Sequence, residues 1–119
     1  MGNKSVLIVE DDQEIRSLLK EAIELEGFEA HVAANGKEAL GILSNSVTPS
    51  LILLDLMMPV MNGWQFLEVK NNDSNICNIP VVVITAATDS KAGEVKSQGI
   101  MKKPIDLDVL VGWIKKYCN

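Results

Sequence analysis

Three uninterrupted apolar runs constrain this chain more than any other feature. Val6–Val9, Leu51–Leu54 and Val81–Ile84 each hold four consecutive branched aliphatic residues, and each stops at a polar or acidic one: Glu10, Asp55 and Thr85. Side chains alternate between the two faces of a strand, so a strand apolar on both faces has no solvent side. It belongs inside a sheet covered twice. Between the runs the spacing changes to the helical period. Ile15, Leu18, Leu19, Ala22 and Ile23 form one helical face, and Gly27 marks its stop. Asn35 with Glu38, and Asn62 with Gln65, are capping-box pairs opening two further helices, the first carrying Ala39, Leu40 and Leu43. Weaker strands are expected at Glu29–Ala33 and Gly99–Lys102. A short helix weakened by Gly93 is expected between Asp89 and Gln98. Asp106 caps a last helix with Leu107, Leu110, Ile114 and Tyr117 on one face. Five strand–helix units in alternation predict an α/β chain with a parallel sheet between two helix layers. Such sheets bind ligands beyond the carboxyl ends of their strands.

The remaining composition narrows the function. A chain of 119 residues is one domain's worth. Eleven basic against sixteen acidic residues give a net charge of −5, which repels phosphate backbones and argues against direct nucleic-acid binding. No apolar run approaches the ~18 residues of a membrane span. Cys77 and Cys118 form no CxxC pair, and no signal-peptide pattern opens the chain. Reduced thiols and a cytoplasmic location are therefore expected. The single histidine, His31, reads as an ordinary strand residue; Met57, Met58 and Met61 read as loop and core packing, and Trp64 and Trp113 as packing on helices.

The polar residues after the runs carry the chemistry. Asp11 and Asp12 follow the first strand, Asp55 ends the third, Thr85 ends the fourth and Lys103 follows the fifth. All five fall at one end of the sheet. Clustered carboxylates repel one another, and Mg²⁺ relieves that repulsion while retaining sites for water and a phosphate oxygen. Asp55 can attack phosphorus, with Lys103 and Thr85 stabilising the equatorial oxygens. Asp11 and Asp12 also suit plain helix caps, Thr85 a plain strand end and Lys103 an exposed loop. Asp55 is the hardest to dismiss, because an unpartnered carboxylate at a buried strand end is costly.

Taken together, Glu10-Asp11-Asp12, Asp55-Leu56-Met57-Met58-Pro59-Val60-Met61-Asn62-Gly63, Thr85-Ala86 and Lys103-Pro104 make the chain resemble the receiver domain of two-component response regulators, over nearly all of residues 1–119. The resemblance implies a flavodoxin-like three-layer (βα)5 sandwich with strand order 2-1-3-4-5. It implies Asp55 as phosphoacceptor, with Mg²⁺ (or Mn²⁺) held by Asp11 or Asp12, Asp55 and the Met57 carbonyl. Lys103 would contact the phosphoryl group, and a cis Lys103–Pro104 bond is expected. The donor would be a histidine kinase or histidine phosphotransfer protein of a bacterial two-component system or phosphorelay, and the output a contact with an unnamed protein target. A phosphorylation-independent pseudo-receiver is an alternative. A small aspartyl phosphatase is disfavoured, because Met57 stands where such enzymes favour a second acid. A flavin or nucleotide binder is disfavoured because no glycine-rich turn follows the first strand.

The chain also departs from that family. Thr85 and Lys103 are eighteen positions apart, fewer than usual, so the fourth helix or its flanking loops are expected to be short. Ile100 stands where an aromatic residue is common, which removes the usual aromatic switch partner of Thr85. Met57 and Ala87 are apolar where polar side chains can position the water that hydrolyses the acyl phosphate. Slow self-dephosphorylation follows as an expectation. Met57→Asn is then expected to speed decay of the acyl phosphate; an unchanged decay rate would refute the argument.

Overall fold

A computed structural model describes residues 4–45, 47–86 and 96–118. Five parallel strands, β1 (Ser5–Val9), β2 (Glu29–Ala33), β3 (Leu51–Asp55), β4 (Val81–Thr85) and β5 (Gly99–Lys102), form one sheet in the order β2-β1-β3-β4-β5. Four helices pack on it among the described residues: α1 (Gln13–Leu25), α2 (Gly36–Ser44), α3 (Gly63–Asn71) and α4 (Leu107–Cys118). This is the α/β sandwich and strand order expected. The helix expected between Asp89 and Gln98, and Ala87, lie largely outside the described residues; the described end of that stretch, 96–98, is not helical. None of the described helices is long and apolar enough to cross a membrane.

The three apolar runs are the three central strands, and β1, β3 and β4 are buried at every position. Alternation splits them into two cores. Leu7, Val9, Ile52, Leu54, Val81 and Val83 face one way and pack with Ala39 and Leu43 of α2 and Phe66 and Leu67 of α3. Val6, Ile8, Leu51, Leu53, Val82 and Ile84 face the other, against Leu19 and Ile23 of α1 and Leu110, Ile114 and Cys118 of α4. Two members of the expected helix faces lie outside these cores. Leu18 is 44% exposed at the edge of its helical stripe, and Leu107, the first residue of α4, is 42% exposed at the helix end. Lys70, at the core-facing edge of α3, is buried and donates to the Cys77 carbonyl at 3.1 Å; burial pushes its ammonium pKa down.

The expected caps form. Asn35 accepts from the Glu38 amide, and Glu38 reaches back to the Ala34 amide, one residue earlier than a standard box. Asn62 and Gln65 complete a full reciprocal box. Asp106 accepts from the amides of Asp108 and Val109. The two cysteines are free.

Gly63 fixes where α3 starts relative to the end of β3. Its amide donates to the Leu56 carbonyl at 2.9 Å. A Cβ at this position would lie 2.7 Å from both the Asp55 carbonyl oxygen and the Leu56 Cα. Those are backbone atoms and cannot swing aside. Gly63→Ala is therefore expected to destabilise the fold by about 2 kcal/mol, the usual scale for overpacking, lowering Tm by roughly 5–10 °C. A thermal melt within a degree of the parent protein would contradict this close approach.

Candidate functional site

Strand ends deliver the polar groups to one place. Glu10 follows β1 with its amide bonded to the Ala33 carbonyl at 3.0 Å, so it still belongs to the sheet's hydrogen-bond network. Asp55 is the last residue of β3 and Thr85 the last of β4. The Lys103 amide donates to the Thr85 carbonyl at 2.8 Å, carrying the β4–β5 ladder one residue further. The Lys103–Pro104 bond is cis.

Asp55 is 3% exposed. Its Oδ1 accepts from the Met57 amide at 3.2 Å, and its Oδ2 lies 3.6 Å from the Lys103 ammonium. That ammonium lies closer still, 2.8 Å, to Glu10 Oε1. Burial alone would lower the Lys103 pKa, but Glu10, Asp55 and Asp11 outweigh it and raise it. Lys103 thus stays charged at neutral pH. The Thr85 hydroxyl donates to the Ala86 carbonyl at 3.2 Å. Met57 is 64% exposed and Val60 76% exposed beside the site. Val60 holds φ at +67°, a conformation a β-branched residue rarely adopts and one that costs on the order of 1–3 kcal/mol.

The acidic cluster differs from expectation by one residue. Glu10, Asp11 and Asp55 each offer a carboxylate oxygen, all within 4.8 Å of one another. Asp12 is not among them. Its side chain instead caps α1, accepting from the amides of Glu14 at 2.9 Å and Ile15 at 3.1 Å. Asp11 and Asp55 are brought together as expected; Asp12 takes the helix-cap role weighed for it, and Glu10 takes its place in the cluster. The signal for Glu10 was present in the sequence. It directly follows four buried aliphatic residues, the same argument that singled out Asp55.

Glu10 also tests whether a metal fits. Its side chain is fully buried, Oε2 has no hydrogen-bond partner among the described residues, and Oε1 meets Lys103 without hydrogen-bond alignment. Buried carboxylate oxygens are ordinarily satisfied, and an unsatisfied one is costly. Burial, with the neighbouring Asp55 carboxylate adding to it, pushes the Glu10 pKa up to about 8 despite Lys103. An all-oxygen set of carboxylates with a lone pair unanswered suits a hard divalent cation that keeps several waters. A groove of about 820 Å³ lined by Val60, Met61, Gln65, Glu68, Val69, Asn72, Asp73 and Ser74 does not reach Asp55, so it is not the seat of this chemistry.

Comparison with known proteins decides the family. The model of the response regulator receiver domain matches residues 6–115. This chain belongs to the response regulator receiver domains. It is 38% identical over 122 residues to the sporulation initiation phosphotransferase F of Bacillus subtilis, an alignment covering 98% of this chain and 95% of that protein. It is 43% identical over 81 residues to the transcriptional regulatory protein CpxR of Escherichia coli, covering 68% of this chain but 33% of that protein. The chain thus spans about a third of the CpxR length. Among solved structures, the Vibrio cholerae chemotaxis protein CheY4 superposes with a TM-score of 0.87 at 26% identity, covering 98% of this chain and 99% of that one. Receiver domains are phosphoacceptor switches of two-component systems, working with histidine kinases or phosphotransfer proteins.

The unanswered oxygens of Glu10 predict a response to magnesium. In chelator at pH 9, above the raised Glu10 pKa, Glu10→Gln is expected to melt higher than the parent, because it removes one buried charge from beside Asp55. Added Mg²⁺ is expected to raise the parent's Tm and to raise the variant's much less. Equal magnesium-induced shifts in the two proteins would show that Glu10 holds no cation.

Proposed function

We propose that this receiver domain accepts a phosphoryl group on Asp55 from the phosphohistidine of a histidine kinase or phosphotransfer protein, in a reaction that depends on Mg²⁺. The observation that carries the reading is Asp55 itself: buried at a strand end, 3.6 Å from the Lys103 ammonium and clustered with Glu10 and Asp11. A carboxylate so placed has a cation to stabilise an incoming phosphoryl group and no solvent to dissipate it.

An Asp55 carboxylate oxygen attacks phosphorus in line. The P–N bond to the donor imidazole breaks as the P–O bond forms, giving an acyl phosphate and a free histidine. Asp55 is the nucleophile. Lys103 supplies positive charge to the phosphoryl oxygens, and its raised pKa keeps that charge in place. The Thr85 hydroxyl, now spent on the Ala86 carbonyl, is the donor free to turn toward the new anion. Glu10, Asp11, Asp55 and the Met57 carbonyl would hold the metal. Magnesium, with manganese as its nearest substitute, supplies when bound the charge neutralisation that lets carboxylates and phosphate share the cleft. Asp12 is assigned to capping α1.

The change of charge biases the loops that bear Thr85 and Met57, and through them contacts with a downstream protein. The domain is a phosphoacceptor that assists its own modification and slow reversal rather than a multiple-turnover enzyme.

Incubation with Mg²⁺ and acetyl phosphate is expected to add one phosphoryl group, seen by intact mass, and Asp55→Ala to abolish it. Removing magnesium with chelator is expected to suppress labelling at least tenfold. Beryllofluoride should shift backbone NMR resonances around Thr85 and Lys103 in the parent only. No labelling from any donor, or labelling elsewhere than Asp55, would point instead to a phosphorylation-independent pseudo-receiver.

A further inference from the structure

Two consecutive residues, Glu10 and Asp11, send carboxylates to one point. An extended strand cannot do this, because neighbouring side chains leave on opposite faces. The backbone must therefore turn just after β1, and something must hold the turn. Arg16, in the first turns of α1, reaches back over it. Its Nη1 donates to the Glu10 carbonyl at 2.8 Å and to the Asp11 carbonyl at 3.0 Å. One guanidinium nitrogen has two N–H bonds, so each carbonyl receives one. The side chain is half-buried and its charge is not among the causes of the Glu10 shift. Its influence on the two acids runs through their backbone.

We propose that Arg16 is a positioning residue for the divalent-cation site, fixing the two peptide carbonyls and thereby the directions in which the Glu10 and Asp11 carboxylates leave the chain. The inference rests on the reading of Glu10, Asp11 and Asp55 as the cation site. Groups that orient metal ligands without touching the metal typically change affinity 10–100-fold when removed. The neighbouring restraints do not substitute for it. Asp12 ties α1's first amides, and the Glu10 amide ties to Ala33, but neither touches the Glu10 or Asp11 carbonyl. Lysine would keep the charge with a different donor geometry and restores the clasp in part.

The test measures Mg²⁺ binding by calorimetry on the whole chain, at a temperature where circular dichroism shows each protein folded. The parent is expected to bind. Arg16→Met, which keeps the aliphatic stem but loses both donors, is expected to bind about tenfold more weakly, and Arg16→Lys to fall between. Acetyl phosphate labelling supplies a second readout. The magnesium concentration for half-maximal labelling should rise in Arg16→Met, while the rate at saturating magnesium stays near the parent's. Equal dissociation constants for parent and Arg16→Met overturn the inference, leaving Arg16 a purely structural strap. Should Arg16→Met not fold, Arg16→Lys decides alone, and parent-like affinity in it overturns the inference. A parent protein that binds no magnesium overturns the cation-site reading itself, an outcome distinct from the other two.

Discussion

The ammonium of Lys103 holds this molecule's working end together. It sits 2.8 Å from Glu10 and 3.6 Å from Asp55, and both of those carboxylates are buried. Without it, two acids would face each other in a medium where like charges repel far more strongly than in water. The strand order puts it there. β3 lies between β1 and β4, and β5 follows β4 at the edge, so the residue after β5 reaches back across the strand ends toward β1. The fold therefore sets the chemistry: a sheet covered on both faces leaves its strand ends as the place where charge can collect.

Much of this was legible in the sequence, for physical reasons. Continuous aliphatic runs admit few environments, so β1, β3 and β4 could be placed to within one residue. Asn62 with Gln65 could be read because a capping box satisfies two amides at once. The departures fall where a single residue decides. Asp11 and Asp12 are alike in composition, and only the turn of the chain after β1 determines which faces Asp55 and which faces the amides of α1. That turn makes Glu10 a cluster member and Asp12 a cap. Leu18 and Leu107 obey the helical period yet stay exposed, because periodicity reports neither the width of a stripe nor where along the helix burial begins. Arg16 carried no signal at all, since its role is to the backbone of residues five and six positions earlier.

The region around β5 carries its aromatic side chains on a helix rather than on the strand. Ile100 supplies no ring on β5, and the aromatic bulk at this strand comes from α4, on the opposite face with Gly99 and Met101. Trp113 lies so close to Gly99 that a Cβ there would fall 2.3 Å from its ring. The same ring stacks on Tyr117 with planes 11° apart, and Lys116 sits 5.4 Å above it. A ring wedged against backbone on one side and stacked on the other has little rotamer freedom. It packs the edge of the sheet rather than turning with Thr85.

Charge balance shows why such a site behaves as a switch. A divalent cation would displace the proton that the raised pKa of Glu10 holds at neutral pH; three carboxylates against one ammonium then leave about two negative charges, the amount that cation cancels. A phosphoryl group on Asp55 would replace the single charge of its carboxylate with roughly two, a net gain of about one. No further ammonium is placed within 4 Å of the cluster among the described residues, so the added charge must be met by neutral donors. One such donor, at the end of the neighbouring strand β4, is the Thr85 hydroxyl, whose present bond to Ala86 is a long one between adjacent residues and easily exchanged for a shorter one to an anion. Under the proposed modification of Asp55, the mechanical work would come from a buried anion left under-satisfied until the end of β4 turns to meet it.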